Sequence, residues 1–177
     1  ERVIDFRQSN LHVVNYSQPV DRKMSLAELK PHLFSLPEQP DLVPYKTSYY
    51  NPFWGFCLAD SQLQAMPDEE YEVCIDATLE NGHITFADCL IPGDSQDEIV
   101  VFAHCCHPSL CNDNLSGIAV ATALAQSLQG QTNHFSYRFV FAPATIGSLT
   151  WIERNRERLD RIKYGLVLAN VGSDGHL

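Results

Sequence analysis

The chain has 177 residues with a hydrophobic fraction of 45%, enough for one compact domain or two small ones and unlike a disordered chain. Asp and Glu number 22 against 12 Lys and Arg, a formal charge of -10 that argues against nucleic acid or an anionic membrane as partner. No apolar run is long enough to span a bilayer, and the charged start ERVIDFRQSN reads as the middle of a longer chain, not as a signal peptide.

The expected location is therefore cytoplasmic, and the six cysteines read as reduced thiols. Neither a Cys-x-x-Cys pair nor zinc-finger spacing is present, which excludes a structural zinc knot.

Residues 3–6 and 11–16 alternate as strands do. Ser25-Leu26-Ala27-Glu28 is a capping box and opens a short helix to about residue 34, with Pro31 set to shorten it. A proline-rich stretch, 36–52, follows as an extended connector. The aromatics Tyr49, Tyr50, Phe53, Trp54 and Phe56 within and just after it suit packing between layers, or the wall of a cleft. Asp60 starts another short helix, stopped by Pro67.

Residues 71–79 and 84–91 flank Asn81-Gly82, the strongest local hairpin signal, and Cys74 and Cys89 lie in these runs as small core residues. Pro92-Gly93-Asp94 breaks the pattern, which divides the chain into a small β-rich module, 1–92, and the first part of an α/β domain, 93–177. From there strands at 99–103, 137–142 and 164–169 alternate with helices at 115–128 and from Pro143 through Arg154. This β-α-β-α-β order predicts a partial, mostly parallel, helix-covered sheet.

Chemistry concentrates where the first of these strands ends. The apolar run Ile99-Val100-Val101-Phe102-Ala103 stops at His104-Cys105-Cys106-His107-Pro108, and Asn112-Asp113-Asn114 precedes the next helix. Imidazole and carboxylate are the usual ligands of zinc, and the carboxyl edge of a parallel sheet is where α/β enzymes present reactive groups. His104, His107 and Asp113 are thus candidate metal ligands, with Asn112 and Asn114 orienting Asp113. Two plainer uses stay open: Asp113 as a helix N-cap, and His104 as a structural histidine. Cys106 as a nucleophile paired with His107 is a further option, without an evident third group to orient it.

His104-Cys105-Cys106-His107-Pro108-Ser109 followed by Asn112-Asp113-Asn114-Leu115-Ser116-Gly117 resembles the first metal-binding segment of the di-zinc aminopeptidase superfamily. The chain as a whole resembles a bacterial family of uncharacterised proteins that joins an aminopeptidase-like domain to an inserted small β domain. That resemblance is carried also by Ser9-Asn10-Leu11-His12-Val13-Val14, Pro44-Tyr45-Lys46-Thr47-Ser48-Tyr49-Tyr50, Trp54-Gly55-Phe56-Cys57 and Thr145-Ile146-Gly147-Ser148.

It implies an α/β fold of aminopeptidase (phosphorylase/hydrolase-like) type in which this chain is a fragment, one or two zinc ions, and a peptide or amide substrate. His104 falls on the superfamily's histidine ligand and Asp113 on its bridging aspartate. Cys106 falls where the superfamily has an aspartate that orients the histidine. His107 belongs to the narrower family's Cys-His-Pro-Ser pattern, as a substitute ligand or a group behind the ligands. The superfamily's Glu-Glu pair falls on Phe141 and Ala142, and its next aspartate ligand on Asn170, with Asp174 and His176 nearby.

The expected activity is metal-dependent hydrolysis of peptide or amide bonds. A catalytically degenerate binding or scaffold protein linked to surface-polysaccharide biosynthesis is the alternative. A homo-oligomeric state is left open.

Overall fold

The computed structural model describes residues 3–49, 51–107 and 110–174. The chain forms two compact units, Glu1–Asn81 and Gly82–Leu177.

In the first unit, strand β1 (Val20–Ser25) pairs antiparallel with β4 (Glu70–Ile75), from Val20 opposite Ile75 to Ser25 opposite Glu70. Period-two alternation puts Met24, Val73 and Ile75 on the inner face, where they meet Leu26, Leu29, Leu33, Phe56 and Leu58. The capping box forms as expected: the Ser25 N–H donates to Glu28 Oε2 at 2.9 Å, and the Glu28 N–H donates back to Ser25 Oγ. Helix α1 (Leu26–Leu29) lasts four residues before Pro31 draws the chain into a 3-10 turn, Lys30–His32.

Two-residue strands β2 (Leu33–Phe34) and β3 (Phe56–Cys57) then pair in parallel, and the proline-rich connector runs between them. Helix α2 (Asp60–Gln64) ends ahead of Pro67. The connector's aromatics pack: the His32 ring stacks on Trp54 at 3.6 Å between centroids, and its Nδ1–H donates to the Trp54 carbonyl. Tyr49 stays exposed, and Tyr50 lies outside the described residues.

Two local expectations fail in this unit. Residues 3–6 form no strand, and 11–16 form a 3-10 turn, Asn10–His12, followed by isolated bridges from Val13 to Phe56 and Asn15 to Thr47. Leu11 to Tyr16 alternate in sequence, but the local partner offered is a two-residue strand, too short for a ladder.

The second unit is a four-stranded sheet in the order β5-β7-β6-β8. Its strands are β5 (Ala87–Ile91), β6 (Glu98–His104), β7 (Ser136–Ala142) and β8 (Ile162–Val167). Strands β6, β7 and β8 run in parallel, and β5 lies antiparallel at the β7 edge.

Successive residues of β6 and β7 face opposite layers. Val101, Ala103 and Phe139 meet Ala121 of helix α3 (Gly117–Leu128). Val140 and Ala142 meet Trp151 of helix α4 (Ile146–Arg154), with Val100 and Phe102 against them. Helices thus cover both faces, as the parallel order requires.

The expected 71–79/84–91 hairpin does not exist. β4 pairs with β1, and β5 pairs with β7. Asn81-Gly82 specifies a turn, but the inner face of β4 belongs to one core and β5 to the other sheet. The same registers expose Cys74 and Cys89, contrary to a core role. Cys74 sits on the outward phase of a strand whose inward residues are Val73 and Ile75, and Cys89 lies on an edge strand.

Candidate metal centre

Parallel pairing brings the carboxyl ends of β6, β7 and β8 to one edge. His104, the last residue of β6, stands opposite Ala142 of β7, and the Cys105 N–H donates to the Ala142 carbonyl at 2.9 Å. The Leu168 N–H, just past β8, donates to the Phe102 carbonyl at 2.8 Å. The backbone under His104 is therefore held on both sides.

Between this strand end and α3 the chain makes an irregular turn, Cys111–Ser116. Asp113 (φ -110, ψ 91) and Asn114 (φ -136, ψ 34) leave helical geometry, and the peptide joining them is cis. Asn114 is buried and clamps three segments. Its Nδ2–H groups donate to the carbonyls of His104 (3.2 Å) and Leu168 (2.9 Å), and its Oδ1 accepts from the Asn170 N–H (3.1 Å). Asn112 Oδ1 accepts from the Gly172 N–H at 2.8 Å.

Gly117 makes this approach possible. A Cβ there would stand 2.3 Å from the Leu168 carbonyl oxygen and 2.6 Å from the Asn114 amide. The missing side chain lets the helix start close against the end of β8.

The clamp aims Asp113 at both imidazoles. His104 Nε2 lies 2.9 Å from Asp113 Oδ1, and His107 Nε2 lies 3.2 Å from Asp113 Oδ2 and hydrogen-bonds to it. On its other side His104 Nδ1 is 3.3 Å from Cys106 Sγ. Although the Asp113 side chain is 44% exposed, its Oδ1 is covered and has no hydrogen-bond partner among the described residues. His104 Nε2 stands 2.9 Å from that oxygen without hydrogen-bonding to it.

That arrangement separates the open readings. Asp113 is not a helix cap: Ser116 takes that position, and the Asp113 carboxylate faces the two histidines. Against expectation, Asn112 and Asn114 make no hydrogen bond to the Asp113 carboxylate among the described residues and instead tie the loop to the end of β8 and the residues after it. Cys106 Sγ lies 3.3 Å from His104 Nδ1, so the histidine in hydrogen-bond reach of this thiol is His104. The clamp by Asn114 is the part that sequence reasoning missed. Its signal is an Asn with a Gly three residues on, a polar group and a missing Cβ at one crowded point.

At the expected acidic positions no carboxylate arrives. Ala142 is buried against Trp151, and Phe141 packs on the α3 side of the sheet. Asn170 has φ 55, and its N–H serves the Asn114 clamp. Pro108, Ser109 and His176 lie outside the described residues.

The donor set fits a divalent metal of the zinc type. Two ligands at about 2.0–2.1 Å from a tetrahedral zinc stand roughly 3.3 Å from each other. The two His–Asp contacts, 2.9 and 3.2 Å, are close to that edge length. A covered carboxylate oxygen that faces an imidazole nitrogen at 2.9 Å with no hydrogen bond among the described residues is the arrangement that a shared cation satisfies. His104, Cys106 and His107 also bring ligand-type atoms within 4.8 Å of one another.

The fold and this loop define an aminopeptidase-like α/β unit. It resembles the zinc aminopeptidase BSAP from Bacillus subtilis with TM-score 0.55 and 17% identity, over 80% of this chain and 38% of that one, a likeness of fold. Residues 7–177 match the family described as a domain of unknown function, DUF4910, and the chain belongs to it.

A Clostridium acetobutylicum relative, whose name links polysaccharide biosynthesis with an aminopeptidase-like domain, is 49% identical over 175 residues. A crystal structure of a candidate peptidase from Clostridium acetobutylicum superposes with TM-score 0.97 at 48% identity, over 99% of this chain and 42% of that one. The chain spans 40% of the length of the curated relative, so it corresponds to a fragment of such a protein.

Proposed function

We propose that the whole protein is a metal-dependent, aminopeptidase-like hydrolase of peptide or amide bonds, with one or two zinc ions held by His104, Asp113 and His107. The observation that carries this reading is the covered, unsatisfied Asp113 Oδ1 beside His104 Nε2, with His107 on the other carboxylate oxygen. A bound ion would polarise the scissile carbonyl and lower the pKa of bound water.

The chain's own residues supply the frame. The end of β6 fixes His104, the Asn114 clamp fixes the turn that carries Asp113, and each oxygen of Asp113 is presented to a different imidazole. His104, His107 and Asp113 would hold the ion or ions, with one carboxylate oxygen turned to each imidazole. No general base is assigned, because Phe141 and Ala142 stand at the expected glutamates. The acidic balance of the chain suits the cationic amine of a free peptide N-terminus. Six free thiols favour a cytoplasmic location, and no helix of the described residues is long and apolar enough to cross a membrane.

The test is metal analysis of the full-length protein with an aminoacyl-arylamide assay. Stoichiometric zinc, lost in His104→Ala and Asp113→Asn, with hydrolysis abolished by chelator and restored by zinc, is the expected result. Absence of zinc, with stability indifferent to chelator, would sink the proposal.

The second reading is a degenerate relative that binds a peptide or saccharide, or acts as a scaffold in surface-polysaccharide biosynthesis. The missing carboxylates at positions 141, 142 and 170 and the name of the Clostridium relative favour it. Zinc bound without hydrolysis of any arylamide would select it.

A further inference from the structure

Exposed tyrosines gather on the first unit. Tyr16, Tyr45 and Tyr49 are 47%, 48% and 67% exposed. Two backbone segments bring them together: Asn15 and Thr47 bridge in parallel, the Asn15 N–H donates to the Lys46 carbonyl at 2.9 Å, and the Ser48 N–H donates to the Asn15 carbonyl at 3.1 Å. The Asn15 amide donates to Tyr45 Oη at 3.4 Å. Ser48 Oγ lies 3.4 Å from the Tyr16 carbonyl and 3.5 Å from that of Tyr49.

Two of these tyrosines hold conformations that their side chains disfavour. Tyr16, at φ 63, is the third residue of a turn that the Ser17 N–H closes on the Val14 carbonyl at 3.1 Å. Tyr49, at φ 52, is the second residue of a turn that the Asn51 N–H closes on the Ser48 carbonyl at 3.2 Å. Glycine and asparagine are the usual occupants of left-handed turn positions. Side chains that stay exposed return little burial energy for such a conformation. Backbone held this way gathers at functional sites.

The local hydrogen bonds and charge narrow the ligand. The main-chain N–H groups of Asn15, Ser48, Tyr49 and Asn51 all donate within the chain, so an added peptide strand cannot pair with them. Recognition falls to rings, hydroxyls and side-chain amides. In a chain of charge -10, residues 15–18 and 44–52 carry one charged side chain, Lys46, whose ammonium stands over the Phe34 ring at 4.3 Å. A neutral surface of rings and hydroxyls complements a neutral, polyhydroxylated ligand: its C–H faces lie on the rings, and its hydroxyls meet the polar groups between them.

We infer that this tyrosine surface binds a neutral pyranose saccharide, with the Tyr16 and Tyr49 rings as its stacking faces. The inference deepens the saccharide-binding reading above and rests on it. It asks nothing of zinc.

The experiment titrates the full-length protein calorimetrically with maltohexaose, cellohexaose and chitohexaose, and follows thermal unfolding in parallel. At least one of the three is expected to bind. Tyr16→Gly and Tyr49→Gly are each expected to weaken that binding about 10-fold or more, as loss of an aromatic anchor does. Their thermal midpoints are expected to equal or exceed the parent's, because glycine adopts the left-handed backbone freely. A tyrosine that served packing alone would lower the midpoint. Tyr49→Phe keeps the ring and is expected to bind like the parent.

Parent-like saccharide binding in both glycine variants overturns the inference and leaves the saccharide-binding reading to another surface. Lowered midpoints in both variants overturn it as well, by making the rings structural. Decaproline bound in preference to all three sugars, and lost in the same variants, overturns it in favour of a peptide. No binding of any of the three at millimolar concentration overturns the inference and the saccharide-binding reading together.

Discussion

A charged cluster lies at each end of strand β6, and the two are built on opposite terms. At its start Glu98 is buried and receives Arg138 through Nε (2.6 Å) and a second guanidinium N–H (2.9 Å). The same guanidinium donates to Asp88 Oδ1 at 2.6 Å, and the Trp151 indole N–H donates to Asp88 Oδ2 at 2.6 Å. Every oxygen of both carboxylates is satisfied, and the pairing holds the Arg138 pKa well above its ordinary range.

Beyond the other end of β6, Asp113 faces two imidazoles and leaves one covered oxygen without a hydrogen bond among the described residues. A closed network ties strands to a helix. An open one, next to a clamped loop, has capacity for something else. The difference lies in satisfaction rather than in residue type, since both clusters are made of ordinary charged side chains.

The largest way to break this comparison is at the closed end. Arg138→Met leaves Glu98 buried without its cation and is expected to cost about 3–5 kcal/mol in urea unfolding. A cost below ~1 kcal/mol, as for exposed ion pairs, would show that the network is not desolvated.

Next comes the clamp between the two ends. Gly117→Ala forces a Cβ against the Leu168 carbonyl and is expected to cost about 1–3 kcal/mol, as overpacking does. Asn114→Ala removes two donors and an acceptor from a buried position and is expected to cost a similar ~1–3 kcal/mol, with weaker zinc binding besides. Equal zinc affinity in Asn114→Ala would detach the clamp from the metal centre.

At the open end the effect on stability should be smaller and should depend on metal. His104→Ala is expected to shift metal-free stability by less than ~1 kcal/mol, within the range of changes that leave no buried group unpaired. Saturating zinc at 100-fold above its dissociation constant should stabilise the parent by about 2.7 kcal/mol and leave His104→Ala unmoved. Identical thermal shifts in both proteins would erase the distinction between the two ends of the strand.

The smallest effect concerns the first unit. Burial pushes the Cys57 thiol up from its ordinary value of 9.0 to about 11. The unfolded thiol ionises first, so its contribution to stability is intact below pH 9.0 and fades as pH rises to about 11. Cys57→Ala should flatten the stability profile across that window. At neutral pH a thiol reagent should label the exposed cysteines of the native protein and spare Cys57, whereas labelling of Cys57 would place it at the surface.

Some of these features are legible in the sequence and others are not, for physical reasons tied to range. The apolar runs of β6, β7 and β8 state their own burial, because a strand covered on both faces has no polar phase. The Ser25–Glu28 box states its helix start, because both partners sit within one turn. His104 and Asp113 are recognisable as candidates by type and spacing.

The hairpin around Asn81-Gly82 misleads because turn chemistry reports four residues, whereas strand pairing is settled by which core accepts the side chains. For Val73 and Ile75 that core is the one built by Met24, Leu29 and Leu33. Asp88, Glu98, Arg138 and Trp151 are separated by 10 to 63 positions, so no local pattern joins them.

By itself the sequence determined the strand-loop-helix grammar of the second unit and the address of its polar loop, since hydrophobic period and ligand-type residues are local properties of the chain. Tertiary structure decided the rest: which strands pair, which carboxylates are closed by a guanidinium, and which carboxylate oxygen stays open. Those outcomes depend on directions and distances between segments far apart in sequence. The turn at Asp113 takes its shape from Asn114 reaching the ends of β6 and β8, and only in that shape does each oxygen meet a different histidine.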